Sequence, residues 1–368
     1  MRIFSITSGG VAESFELPLS APHGGFLWIG CTRVEFQNRL AEIQATLLTL
    51  CGIQLVDLHV SDLLNPQLPS RFDFISQYDL LVFRRLAAQP SATAGHEEPP
   101  ITPVSTRRGG PPILKHIGTR PVGFAVFENV LLSIHPDDCA ARDAFASRLQ
   151  GSAHDLRTAN SRLPTSPADL MLRIVNLMVD GFLELRRELS RQLDHWQSEL
   201  LNPRARFSNW STLLDARLSL HQLDEICEDQ RQAILDWIES MESWPKAGSP
   251  LAQRDHDLLQ VRSRDVLEHI ERVVHHVRRL EHNIETVVQM HFSAQGNRTN
   301  DIMRTLTVLT AIFLPLNLLA GIFGMNFEFL PLAHDAAGFW WALAAMGLIA
   351  AALALTFWRK RYLERSAR

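Results

Sequence analysis

Two long uncharged stretches set the pattern of this chain. Thr305 to Phe327 and Ala336 to Trp358 are each 23 residues without Asp, Glu, Lys or Arg. As helices they would reach roughly 35 Å, against a bilayer hydrocarbon core of about 30 Å. Nothing comparable precedes them. Upstream, FLWIGC (26–31), YDLLVF (78–83), VGFAVF (122–127) and VLLSIH (130–135) read as apolar strands, and residues 34–51 carry helical periodicity. Residues 25–135 are therefore expected to be mixed α/β. From Asp137 the pattern turns helical. One helix is predicted from Pro167, a first-turn proline after Ser166, to about Leu201, and a second over about 208–243, ended by Pro245 and Gly248. In a third, Val266, Ile270, Val273, Val277, Leu280, Ile284, Val287 and Ala294 form a heptad seam interrupted only at His291. It predicts one helix from about 252 to 323, roughly 110 Å long. An apolar seam of that length needs neighbours, from the same chain or from other copies.

Composition narrows the classes. The chain has 368 residues, 46% hydrophobic, which excludes wholesale disorder. Its net charge of −4 argues against a basic nucleic-acid binder. Cys31, Cys51, Cys139 and Cys227 have no CxxC spacing, against a zinc ribbon or a disulfide scaffold. The stretch between Ala88 and Pro112 holds six prolines and three glycines and is expected to be a surface loop. MRIFSITSGG lacks an apolar h-region, so no cleavable signal is expected. No nucleophile–base motif or phosphate-binding loop points to an enzyme.

Charge orients the two spans. Arg359, Lys360, Arg361, Arg365 and Arg368 follow the second span, Arg298 and Arg304 border the first, and the connection between them holds Glu328 and Asp335 without a base. Positive-inside then places both termini in the cytoplasm and the loop outside. Trp340, Trp341, Phe357 and Trp358 stand where an aromatic belt would.

In the first span, Met303, Leu306, Thr310, Leu314, Asn317, Gly321 and Gly324 share one stripe of small, polar and apolar residues. An intramembrane Asn is costly against lipid, so Asn317 should face protein or water. A pore face and a packing interface both fit, since Thr, Asn and Gly gather at either.

NRTNDIMRTLTVLTAIFLPLNLLAGIFGMNFE (297–328) closes the span on Gly324-Met325-Asn326 and resembles the signature of CorA-type magnesium transporters. The LTxxTxxFLPLxxxAG pattern, the short acidic loop, the second span and the basic tail extend the resemblance, more loosely, over about 25–362. It implies an α+β membrane protein: a homopentameric funnel with a cytoplasmic α/β domain, a stalk helix continuous with a pore-lining span, and an outer second span. The expected divisions are 1–150 for the α/β domain, 151–250 for a helical hairpin, 251–304 for the stalk, 305–327 and 336–358 for the spans, 328–335 for the loop and 359–368 for the tail.

The resemblance also implies roles. Gly324, Met325 and Asn326 would be the selectivity filter, and Asn300, Met303, Leu306, Leu314 and Gly321 would line or constrict the pore, with Thr310 and Asn317 on the same face. Glu328 and Asp335 are the loop acids. Neutral filter oxygens suit a hydrated Mg²⁺, which gives up its waters reluctantly and must also leave; a helix C-cap is the plainer role of GMN. SDLLN (61–65) and RDVLEH (264–269) resemble the segments whose aspartates share an intracellular divalent ion across a subunit boundary, here Asp62 and Asp265. Ser61 stands where a carboxylate is usual. The plainer roles are a short-helix cap for Asp62 and a solvated stalk position for Asp265.

The implied activity is Mg²⁺ transport gated by the intracellular ion, with Co²⁺ or Ni²⁺ as further cargo, no cofactor, and a bacterial inner membrane as the site. A ZntB-like zinc transporter and a non-conducting membrane-anchored metal sensor are the alternatives. Seven acids against Arg231 in residues 221–242 would attract cations or form a solvated face. His269, His275, His276, His282 and His291 lack HxxxH spacing and are expected at the surface.

Overall fold

The structure is a computed structural model that describes residues 1–7, 9–87, 118–154, 163–200, 210–244, 249–325 and 336–359. It divides into two units, Met1–Glu285 and Thr286–Arg368.

The first unit is built on seven strands: β1 (Arg2–Thr7), β2 (Gly10–Ser14), β3 (Gly25–Thr32), β4 (Arg71–Ile75), β5 (Tyr78–Leu86), β6 (Thr119–Val126) and β7 (Val130–His135). They form one sheet in the order β2-β1-β3-β7-β6-β5-β4. The β3–β7 pair is parallel and the other neighbours are antiparallel. The central strands are buried on both faces, which is why FLWIGC and VLLSIH read as unbroken apolar runs rather than alternating ones. Leu27, Ile29, Cys31, Val130, Leu132 and Ile134 enter one core together with Phe36, Ile43, Leu47 and Leu63 from the helices α1 (Arg33–Asn38), α2 (Leu40–Cys51) and α3 (Asp57–Leu64). The alternate residues face α5 (Pro167–Leu200), which crosses β3, β5, β6 and β7; α4 (Ala140–His154) covers β2, and α6 (Trp210–Glu242) covers β4 and β5.

Two sequence expectations need correction here. The sheet begins at Arg2, not near residue 25, because RIFSIT pairs with both β2 and β3. The helix expected over 34–51 is two helices. Thr32 opens α1 with a capping box, its hydroxyl accepting from Glu35 N–H while the Glu35 carboxylate accepts from Thr32 N–H. Arg39 then leaves helical geometry at φ −112° and ψ 21°. Gly52, left-handed at φ 74°, ends α2.

α7 runs from Pro250 to Phe323 as one helix of 74 residues. Val266, Ile270, Val273, Val277, Leu280, Ile284 and Val287 of its seam are buried. Within the first unit, polar ties hold α7 in register with its neighbours. Trp237 Nε1 donates to Ser263 Oγ at 3.0 Å, Arg262 pairs with Asp169 at 2.7 Å, and Arg278 pairs with Asp224 at 3.0 Å. Residues 88–112, the proline- and glycine-rich stretch, lie outside the described residues.

In the second unit, the C-terminal part of α7 and α8 (Ala336–Arg359) are long and apolar enough to cross a membrane, by length and composition.

Candidate functional site

The apolar end of α7 has two unlike sides. Val308 is 3% exposed, and Ala311, Ile312, Pro315, Leu316 and Leu319 around it are half-buried. α8 carries a half-covered stripe of its own at Ala342, Met346, Ile349, Leu353 and Phe357, the spacing of helices that pack along one face. The predicted stripe lies on the opposite side of α7 from Val308. Met303 is 60% exposed, Leu306 56% and Leu314 64%. Asn300, Thr310, Asn317, Gly321 and Gly324 are exposed with them. A flank of large apolar residues, Leu309 and Phe313, is also uncovered. Polarity divides the uncovered surface: amides, a hydroxyl and glycines sit on the stripe, branched and aromatic bulk on the flank.

Local chemistry shapes this stripe. The Thr310 hydroxyl donates to Leu306 O at 2.8 Å, so its proton stays in the helix and its lone pairs remain outward. Met303, Leu306, Thr310 and Leu314 line a groove of about 430 Å³ with Thr307, Ala311 and Pro315. Pro315 has no N–H to give the Ala311 carbonyl, which leaves a backbone acceptor at the groove. The helix closes as Gly324 N–H bonds Ala320 O at 2.9 Å and Met325 N–H bonds Ile322 O at 3.2 Å. A side chain at Gly324 would bring its Cβ to 3.1 Å from Ala320 O, a tight approach that favours glycine there. Gly324 and Met325 thus end the helix, as the plainer reading of GMN expected. Asn326, Glu328 and Asp335 lie outside the described residues.

The two aspartates belong to the first unit and have different partners. Asp62 sits in the last turn of α3, whose N-cap is Val56, so it is not the cap that one reading assigned it. Its side chain is 12% exposed, with Arg71 Nη1 3.6 Å from Oδ2. That oxygen is buried without a hydrogen-bond donor. Arg71 is held instead by Asp73 at 2.9 Å, and Asp73 stands 3.5 Å from the Nε2 of buried His59. Asp265 is 57% exposed and lies 3.8 Å from His269 Nε2. Among the described residues, no three His, Cys, Asp or Glu side chains gather as a metal-binding group. Arg71 escaped sequence reading because it comes from β4, beyond a turn, and no periodic pattern links it to Asp62.

The acidic run of α6 is only partly free. Asp224 and Glu228 both engage Arg278, and Glu228 also accepts from Arg231, which holds its carboxyl below the usual range. Among the stalk histidines, His276 departs from the expected surface position. It is buried, with Arg279 Nη2 donating to Nδ1 at 2.7 Å and Ser190 Oγ 2.8 Å from Nε2. Burial, reinforced by Arg279 and Arg186, lowers its pKa and keeps the ring neutral.

Comparison with known proteins places this chain in a family. The model of the family described as "CorA-like Mg2+ transporter protein" matches residues 24–361. The chain belongs to this family. It is 27% identical to the cobalt/magnesium transport protein CorA of Thermotoga maritima over 194 residues, 53% of this chain and 52% of that protein. It is 33% identical to the magnesium transport protein CorA of Yersinia pseudotuberculosis over 101 residues, 27% of this chain and 32% of that one. The chain thus spans about half the length, or less, of these curated relatives. In structure it resembles full-length CorA of Methanocaldococcus jannaschii, with a TM-score of 0.68 at 18% identity over 97% of both chains. Full-length CmaX is similar, with a TM-score of 0.65 at 18% identity over 98% of this chain and 97% of that one. The sheet domain, the long helix and the apolar C-terminal helix are therefore the CorA fold.

Proposed function

We propose that the chain conducts divalent cations, chiefly Mg²⁺, across a membrane through a pore lined by the α7 stripe. One observation carries this reading: a stripe mixing Asn300, Thr310, Asn317 and Gly321 with Met303, Leu306 and Leu314 is left uncovered along an apolar helix. Polar groups facing lipid cost several kcal/mol if unpaired, so they belong against water or other copies. A ring of copies meets both needs, and a homopentamer is the assembly the family resemblance supports. Leu306 and Leu314 would then form apolar rings that narrow the path and dry it. Gly324, Met325 and Asn326 would stand at its outer end, where neutral oxygens hold the hydration shell of an entering ion and still release it. Glu328 and Asp335 would concentrate cations at the mouth.

Both termini then lie in the cytoplasm, and a bacterial inner membrane suits the basic tail. The domain divisions follow: sheet domain over 1–150, helical hairpin over 151–250, stalk over 251–304, spans over 305–327 and 336–358. Asp62 and Asp265, contributed by neighbouring subunits, would share an intracellular Mg²⁺ that holds the closed form. The Asp62 oxygen that faces Arg71 Nη1 at 3.6 Å carries no hydrogen bond, and a shared ion would take the place of that guanidinium. Two carboxylates brought together repel, and a divalent ion between them reverses the sign.

The test is ion flux into proteoliposomes, with Mg²⁺, Zn²⁺ and Co²⁺ side by side. The wild type should carry Mg²⁺ most readily, and Asn326→Ala should abolish flux while pentamers persist on native mass measurement. Flux of Zn²⁺ alone would move the chain to the zinc reading, and no flux from an intact pentamer would leave the sensor.

A further inference from the structure

A cavity of the first unit is lined by residues from several elements, including Pro66, Gln67 and Pro69 just after Asp62, but not by Asp62 or Asp265. It has a volume of about 660 Å³ and opens beside the sheet. Three guanidinium groups line it: Arg33 at the start of α1, Arg84 on β5 and Arg120 on β6. Asp137, which follows β7, and Glu225 and Asp229, one turn apart on α6, form the rest of its charged lining.

The arginines are placed by neutral acceptors rather than by ion pairs. Arg84 gives Nε to Thr119 Oγ1 at 2.9 Å, Nη1 to Leu68 O at 2.8 Å and Nη2 to Thr119 O at 3.0 Å, all neutral acceptors. Arg33 donates Nη2 to Pro121 O, and its Nε is buried with no partner. Among the described residues, none of the three arginines makes an ion pair with a carboxylate. Burial lowers the pKa of Arg33 and Arg84; Asp137 partly offsets this at Arg33, where Arg84 and Arg120 add to the lowering, and Asp229 partly offsets it at Arg84. Burial and then Glu225 raise the pKa of Asp229, while Arg84 opposes them. Three guanidinium groups and three carboxylates thus share one lining, coupled through space without a direct ion pair among the described residues.

We propose that this cavity binds a small phosphate-bearing molecule of the nucleotide class, with its phosphates on the arginines and its hydroxyls toward the acids. The arginine fork matches phosphate oxygens two at a time, and a multivalent anion would relieve the repulsion that Arg84 and Arg120 exert on Arg33. A bare polyanion would meet Glu225 and Asp229 unfavourably. A ligand that also offers hydroxyl donors would satisfy them. The volume lies within the range of about 300–1,000 Å³ usual for small-molecule sites. Arg84, already fixed by three bonds, is the preorganised member of the set.

The experiment is calorimetric titration of the full-length protein in detergent, with EDTA present, using ATP, pyrophosphate and adenosine as separate probes. ATP should bind saturably, one per chain, and adenosine should not. Pyrophosphate should bind more weakly than ATP, and more tightly to Asp229→Asn than to the wild type. Arg120→Gln, at an exposed position, should keep the melting temperature and weaken ATP at least tenfold, and Arg33→Gln should weaken it further. Pyrophosphate binding as tight as ATP would overturn the hydroxyl-reading half of the proposal. Absence of saturable heat with millimolar ATP and pyrophosphate, or unchanged affinity in a folded Arg120→Gln, would overturn all of it.

Discussion

One helix passes through both units of this molecule, and its apolar residues meet opposite fates along it. Between Val266 and Ile284 the seam of α7 is buried to 5% exposure or less, under a chain that supplies its own cover. Beyond Thr305, Leu306, Leu309, Phe313 and Leu314 are all more than half exposed. The side chains are chemically alike. In the first unit, an apolar seam is matched by α5 and α6 and by ion pairs such as Arg278 with Asp224 and Arg217 with Glu285. In the second, two helices supply the described structure, and two helices can shield each other on one face only. An uncovered apolar face of that size is unstable in water and at home in lipid or between copies.

The contrast can be tested from its strongest side downward. Trp237 is fully buried and donates to Ser263 Oγ at 3.0 Å. Trp237→Ala should destabilise the first unit by about 3–5 kcal/mol through lost area and a cavity, read as a lowered denaturant midpoint. Leu314→Ala, which trims an apolar side chain at an uncovered position, should leave that midpoint in place; a clear loss would mean that the face is covered after all.

The second test concerns His135, fully buried at the end of β7, with Nε2 2.9 Å from Ser133 Oγ. Burial, with Arg142 and Arg85 adding to it, pushes its pKa down to about 3. The unfolded chain takes up the proton below about 6.5 and the folded chain does not until about 3, so stability is complete above pH 6.5 and is lost as the pH falls through that window. At pH 5 the loss is about 2 kcal/mol for this one group, at 1.36 kcal/mol per unit. His135→Gln should fall less steeply than the wild type between pH 7 and 5 by that amount. Parallel curves would dismiss His135 as the cause.

On the uncovered side, Leu306→Ser should raise basal Mg²⁺ flux about tenfold by wetting an apolar ring, equivalent to about 1.4 kcal/mol off the barrier. A cysteine at 306 that reacts as lipid-facing would show the stripe to be in the wrong register. The smallest effect is expected at the gate. Mg²⁺ should protect the wild-type soluble region from protease, and Asp265→Lys should be protected without it, because the ammonium replaces the missing charge. Equal Mg²⁺ dependence in both proteins would remove Asp265 from gating.

Much of the architecture was legible along the chain, for identifiable reasons. The central strands announced themselves because burial on both faces makes them unbroken apolar runs, and α5, α6 and α7 because a 3.6-residue pattern over more than thirty residues has no competitor. β1, β2 and β4 were missed. RIFSIT and RFDFI carry charge within short strands, and only their partners across the sheet make them strands. The break at Arg39 was hidden because apolar spacing continues across it. At the site, the α7 stripe was readable from spacing, while Arg71 beside Asp62, the buried His276 and the three arginines of the cavity were not. Each of those depends on groups brought from separate elements.

By itself, then, the order of residues determined the two uncharged spans, the seam of α7, the strand runs and the stripe that ends in Gly324, since these are local periodicities and a helix or strand turns them directly into faces. Tertiary structure alone decided which of those faces are covered. It buried Val277 and exposed Leu314, took His276 out of water, left Asp62 Oδ2 without a donor, and set Arg33, Arg84 and Arg120 around one cavity. Exposure and charge environment are properties of neighbours, and the neighbours come from residues tens to hundreds of positions apart.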